Sequence, residues 1–278
     1  MAAPVKPVNA IKVRPDRHLR LPEHVVTEEP LEIRVAAPGR QASPLAVTMR
    51  TPGHDFELAA GFVLTEGIAT RDELVGIGYC DAVRDDPDLR FNTVTVTLSK
   101  DPPKGLPDRR FAATASCGVC GKSRIEDVAV ACPVVPAAAP VPASVVRSLP
   151  GSLRTAQKAF DRTGGLHAAG LYSGTGSLIC AREDVGRHNA VDKVVGRTWL
   201  DWEDPAQLAG TVLMVSGRVS FEIVQKAAAA GIGMICAVSA PSSLAVDAAH
   251  RFAVGLAGFV RGETFNVYSC PERFVLDA

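Results

Sequence analysis

Two cysteines stand two residues apart in Ser116-Cys117-Gly118-Val119-Cys120-Gly121. Such a pair can share a metal ion, close into a reversible disulfide, or let one sulfur carry a covalent group that the other attacks or resolves. The run that follows, Lys122 to Val130, places Ile125, Val128 and Ala129 at helical spacing. The first turn of a helix favours a thiolate, and Lys122 and Arg124 add to that effect where they lie close. Glycine on both sides suits a thiol that must meet another protein. The remaining five of the seven cysteines stand singly, and Cys180 and Cys236 fall in apolar strand-like runs where a buried, inert thiol is the default. A structural zinc site commonly draws on two such pairs, and only one occurs here. Zinc deaminases combine H-x-E with a later P-C-x-x-C; His54-Asp55-Phe56-Glu57 has one residue too many and Ser116 replaces the proline. A zinc-dependent, deaminase-like hydrolase is therefore the alternative reading of the thiol pair.

A second group of residues is defined by position. Arg182-Glu183-Asp184-Val185-Gly186-Arg187-His188-Asn189-Ala190-Val191-Asp192-Lys193 is dense in hydrogen-bonding side chains and follows an apolar strand. Ser216-Gly217-Arg218 follows another and precedes a helix, for which Ser220 is a good N-cap. Ser239-Ala240-Pro241-Ser242-Ser243 follows a third, and Phe259-Val260-Arg261-Gly262-Glu263-Thr264 joins the last two strands. Open α/β sheets bind ligands at the carboxyl ends of their strands, so these turns are expected to share one crevice for a large anionic ligand. Arg187, Arg218 and Arg261 are candidates for its phosphates, with His188, Ser216 and backbone N–H groups near Gly217 and Gly262 beside them. No P-loop and no G-x-G-x-x-G accompanies them.

The elements that must hold these residues follow from periodicity. Residues 1–30 read as an extended arm rich in proline and charge. Strands at 31–36 and 45–50 flank Pro38-Gly39, a helix spans 55–66, and strands at 75–83 and 91–98 form a further pair. With a short strand at 111–115, residues 31–131 make a smaller α+β domain carrying the CxxC loop. Residues 132–143 hold four prolines and read as a linker. Beyond it, a helix over 144–161 is interrupted at Pro150-Gly151, and strands at 167–173, 177–182, 211–215, 234–238, 256–260 and 265–268 alternate with helices at 187–200, 221–230 and 243–254. Residues 144–278 are thus expected to be an α/β domain, a mostly parallel sheet flanked by helices.

The chain has 278 residues, 47% of them hydrophobic, and its 30 Lys+Arg balance 30 Asp+Glu. Zero net charge argues against a nucleic-acid or anionic-membrane coat, though not against a local basic pocket. No apolar run reaches membrane-spanning length, the first ten residues do not resemble an export signal, and an odd number of scattered cysteines fits a reducing compartment. A soluble, cytoplasmic protein is the expectation.

Taken together, Ser116 to Gly121, Glu183 to Lys193, Ser216-Gly217-Arg218, Ser239-Ala240-Pro241-Ser242, Gly258-Phe259 and Asn266-Val267-Tyr268 make the chain resemble the FdhD family of formate dehydrogenase accessory proteins, from about Leu31 onward. The resemblance implies a sulfur carrier that accepts persulfide sulfur from a cysteine desulfurase. It implies delivery to the molybdenum cofactor with two pterin guanine dinucleotides, molybdenum bis(molybdopterin guanine dinucleotide), for use by formate dehydrogenase. Cys117 matches the persulfide cysteine, Cys120 its partner, and Phe259 to Thr264 the cofactor-binding stretch. A cytidine-deaminase-like fold for the second half and a homodimer are implied in the same way. A cofactor chaperone with incidental thiols is a further alternative.

Overall fold

The structure, a computed structural model, describes residues 2–80, 91–103, 109–113, 132–201 and 205–276. Cys117 and Cys120 lie outside the described residues.

The amino-terminal segment is paired where the sequence reading had a single arm: β1 (Val5–Val13) and β2 (His18–Val26) form an antiparallel hairpin. It is followed by β3 (Glu29–Ala36), β4 (Ser43–Arg50), α1 (Asp55–Thr65), β5 (Leu74–Tyr79), β6 (Thr93–Leu98) and β7 (Arg109–Ala113). The five strands order as β5-β6-β3-β4-β7. Alternation in β3 sends Leu31, Ile33 and Val35 to one face, where they pack in one core with Leu58, Ala59 and Val63 of α1.

After residue 132 come β8 (Val141–Pro142), α2 (Ala143–Ala156), α3 (Lys158–Thr163), β9 (His167–Ser173), β10 (Leu178–Asp184), α4 (Arg187–Asp201), β11 (Thr211–Val215), α5 (Phe221–Ala229), β12 (Met234–Ala237), α6 (Ser243–Arg251), β13 (Gly255–Arg261), β14 (Thr264–Ser269) and β15 (Phe274–Val275). Helix α2 runs through Pro150 and breaks at Gln157 instead. Its buried face of Val146, Leu149 and Leu153 is held in the core, and this packing outweighs the hydrogen bond that Pro150 cannot donate.

The expected mostly parallel sheet is mixed. Its order is β10-β9-β11-β12-β13-β14, and only the β11–β12 and β12–β13 pairs are parallel. The β10–β9, β9–β11 and β13–β14 pairs are antiparallel. Loop length is the reason: Gly174 to Ser177 and Gly262-Glu263 are too short for the crossover that parallel neighbours require. Strands β11 and β12, covered on both faces, are buried at every residue.

The two sheets are joined where α1 crosses α4. A Cβ on Gly61 would stand 1.9 Å from Asp192 O, and one on Gly196 1.8 Å from Glu57 O, so the helices meet backbone to backbone. Among the described residues no helix is long and apolar enough to cross a membrane.

Candidate functional site

At the carboxyl ends of β11 and β12 lies a cleft of about 580 Å³. Ser216 and Val238 floor it from the sheet, and His167 and Val185 line one side. Arg154, Gln157 and Phe160, from α2, α3 and the break between them, close the other. The short helix α3 is held in place from the charged motif: Glu183 accepts from the N–H groups of Ala159 (2.9 Å) and Phe160 (2.7 Å), filling donors that a helix start leaves open.

The strand-end turns are locked together. The Ser216 hydroxyl accepts from Ala168 N–H at 2.9 Å, and Val219 N–H donates to Ala240 O at 3.2 Å. Gly217 lies flat against His167, whose Nδ1 would be 3.3 Å from an added Cβ. Arg218 is exposed on the same turn. Burial, and then the positive charge of Arg187, lower the pKa of His167. His188 is buried with Nε2 3.2 Å from Ser220 Oγ and 3.9 Å from Glu222 Oε2. Burial, then the charges of Lys226 and Arg187, push it down to about 4, so it is neutral at physiological pH. The same ring nitrogen faces both Ser220 and Glu222, which is not the two-nitrogen relay of a Ser-His-acid triad.

Beyond Val238 the cleft opens onto the β13–β14 hairpin. Arg261 Nε donates to Val238 O at 2.9 Å, and its guanidinium carbon stands 5.7 Å from the centre of the Phe259 ring. Phe259 is 39% exposed and left-handed (φ 52°), within an irregularity of the β13–β14 register. Gly262 takes the same φ at the hairpin tip with Glu263 and Thr264 exposed beside it, and Val260 is fully buried beneath. The structure thus brings Phe259, Arg261 and Ser216 to the cleft or its rim through Val238, with Gly217 against the cleft residue His167.

Most of the charged motif points elsewhere. Asp184 is 0% and Lys193 1% exposed, 2.7 Å apart. Thr51 N–H, Gly186 N–H and Asn189 Nδ2 also donate to Asp184, at 3.1, 2.8 and 3.1 Å. Asp192 pairs with Lys226 at 2.9 Å, with Thr65 donating to the same carboxylate. Arg182 makes a two-point ion pair with Glu57 of α1. These residues fasten the α4 side of the second sheet to β4 and α1.

Sequence reasoning missed His167, Arg154 and Phe160. The only signal near them is Gly164-Gly165, a turn between helix and strand that places them across the cleft from each other. Of the single cysteines, Cys180 and Cys236 are buried, and burial raises their pKa values to about 11 and about 12, which makes them poor nucleophiles. Among the described residues no cluster of three or more His, Cys, Asp or Glu could hold a metal.

Comparison with known proteins adds four findings. A model of the FdhD/NarQ family matches residues 26–275. Sulfur carrier protein FdhD of Mycolicibacterium paratuberculosis is 48% identical over 259 residues, covering 91% of this chain and 92% of that one. The protein of the same name from Streptomyces avermitilis is 47% identical over 276 residues, covering 96% and 95%. The crystal structure of a formate dehydrogenase accessory protein from Desulfotalea psychrophila matches with a TM-score of 0.77 at 26% identity, covering 98% of this chain and 100% of that one.

Proposed function

The chain belongs to the FdhD/NarQ family, and on that premise we propose that it is a cytoplasmic sulfur carrier, with Cys117 holding the sulfur as a persulfide and the strand-end cleft holding the cargo. The observation that carries this reading is the match to sulfur carrier proteins over nine-tenths or more of both chains. The cleft supports it independently: it offers cations and hydrogen-bond donors at strand ends and an exposed aromatic ring at its rim.

In loading, the Cys117 thiolate attacks the outer sulfur of a cysteine desulfurase persulfide. The new S–S bond forms as the old one breaks, the donor leaves as a thiolate, and Cys117–S–SH retains the proton. In delivery, the Cys120 thiolate attacks the inner sulfur; a Cys117–Cys120 disulfide forms and HS⁻ leaves. That sulfide would replace an oxygen ligand of the cargo, molybdenum bis(molybdopterin guanine dinucleotide) destined for formate dehydrogenase, with the oxygen taking the proton of HS⁻ and leaving as hydroxide. Arg187, Arg218 and Arg261 face the phosphates, and the N–H groups at Gly217 and Gly262 assist them. Phe259 offers its ring to guanine. A homodimer and a cytidine-deaminase-like second half belong to the same reading.

The test is mass spectrometry after incubation with a cysteine desulfurase and cysteine. A gain of one sulfur on the peptide holding Cys117 and Cys120, absent in Cys117→Ala, is expected, while that variant keeps its guanine-nucleotide binding and leaves formate dehydrogenase inactive. Stoichiometric zinc that is lost in Cys117→Ser would sink the carrier in favour of a zinc hydrolase.

A further inference from the structure

The cleft is tied by a few buried hydrogen bonds to β4, the neighbour of the strand that leads to Cys117. Strand β7 pairs in parallel with β4, Ala113 standing opposite Thr48. Ala113 is four residues before Cys117 in the sequence. On its other side Thr48 donates its hydroxyl to Asn189 Oδ1 at 3.2 Å. The Asn189 amide donates in turn to Met49 O at 2.8 Å and to Asp184 Oδ1 at 3.1 Å. Just past the end of β4, Thr51 closes the contact: its N–H reaches Asp184, its hydroxyl accepts from the N–H of the cleft residue Val185 at 3.1 Å, and its carbonyl accepts from Lys193 at 2.9 Å.

Asn189 lies in the first turn of α4, directly after Arg187 and His188, and His188 meets Ser220 on the turn that begins at Ser216. One helical turn therefore touches β4 through Asn189 and the turn after β11, which begins at the cleft residue Ser216, through His188. The apolar core and the glycine crossing of α1 and α4 already hold the two sheets together. Buried polar groups add little net stability over apolar packing, but they fix register, because each demands one partner at one distance.

We propose that Thr48 and Asn189 are positioning residues for sulfur delivery: their hydrogen bond sets the strand leading to Cys117 against the cargo cleft. This rests on the carrier reading above. Loading needs only an accessible thiol and a donor protein, whereas delivery needs the sulfur and the cargo metal in one geometry, and misplacement of about 1 Å is enough to slow a transfer strongly.

The experiment separates the two half-reactions in Thr48→Val, which keeps the shape of the side chain and removes its hydroxyl. Loading is read as one added sulfur on the intact chain after desulfurase and cysteine. Delivery is read as activity restored to formate dehydrogenase supplied with molybdenum bis(molybdopterin guanine dinucleotide). Thr48→Val loads within about twofold of wild type and delivers about tenfold more slowly or worse, and Thr48→Ser, which restores the donor, recovers delivery. Thr48→Ala removes the same donor with less bulk and gives the same split if the valine variant does not fold. Equal delivery by wild type and variant overturns the positioning role alone, as does a parallel fall in loading and delivery. A wild-type chain that takes up no sulfur overturns the carrier reading, and this inference with it.

Discussion

Two stretches of the second sheet look alike as sequence and behave as opposites in the fold. Glu183 to Lys193 leaves β10, Phe259 to Thr264 joins β13 to β14, and both mix charge, glycine and hydrogen-bonding side chains at a strand end. In the first, Asp184, Asp192 and Lys193 are sealed from solvent and meet partners just after β4 and on α1 and α5. In the second, Phe259, Arg261, Gly262, Glu263 and Thr264 are all exposed. Polar density at a strand end therefore marks demand for hydrogen-bond partners and leaves open whether the partner is a ligand or the rest of the chain. Within the first stretch, neighbouring residues of one helical turn take different directions: Asn189 meets Thr48 and Met49 of β4, and His188 meets Ser220 on the turn after β11.

The largest way to break this comparison is at Lys193. Lys193→Ala leaves the Asp184 carboxylate buried among N–H donors with no cation, and removing one partner of a buried pair costs about 3–5 kcal/mol. Denaturant unfolding should show that loss, while Arg261→Ala, at the exposed stretch, leaves the midpoint unchanged. A small effect of Lys193→Ala would mean that Asp184 is neutralised or reached by water.

The same contrast explains what was legible before the fold was known. The helices at Asp55, Arg187, Phe221 and Ser243 and the strands at Thr211 and Met234 show in the sequence because each carries a local period and a local stop signal. Direction within the sheet was misjudged, since strand and helix alternate only between β10 and β13; the hairpin loops at Gly174 and Gly262 already demanded antiparallel neighbours. The ends of the cleft were partly visible: Ser216 and Phe259 to Thr264 stand in strand-end turns, which sequence can locate. His167, Arg154 and Phe160 had no such mark, because they reach the cleft only once α3 folds back under the Glu183 cap. Thr48 and Thr51 were invisible for the same reason. A threonine in a strand or at its end announces nothing until the residue across the interface is known.

A middle-sized effect sharpens the comparison through pH. His188 is held neutral by burial and by Lys226 and Arg187, with Glu222 and Glu66 opposing, so it protonates at about 4 in the folded chain. The unfolded chain takes up that proton near the ordinary histidine value of about 6.5. Between the two values the unfolded state binds more protons, so stability falls as pH drops through this window, by about 2 kcal/mol from pH 7 to pH 5. His167, also lowered, acts in the same direction. His188→Gln should flatten the dependence in unfolding curves taken across that window. An unchanged slope would assign it to other groups.

The smallest effect on stability is expected where the reading of the exposed stretch is most demanding. Phe259 keeps a large apolar ring in water and a left-handed backbone that costs a non-glycine residue about 1–2 kcal/mol. Glycine would relieve the backbone at once, so folding alone gives no reason for phenylalanine there, whereas a stacking surface for a base gives one. Phe259→Gly should therefore raise stability by up to about 1 kcal/mol, offset in part by the lost contact with Arg261. It should weaken guanosine diphosphate binding about tenfold, since one stacked base contributes about 1–3 kcal/mol. Calorimetry for binding and denaturant unfolding for stability read the two separately, and the opposite signs are the point. A variant that gains stability and binds as before would show that the strained ring serves something other than the cargo, and would move the base platform to Phe160 across the cleft.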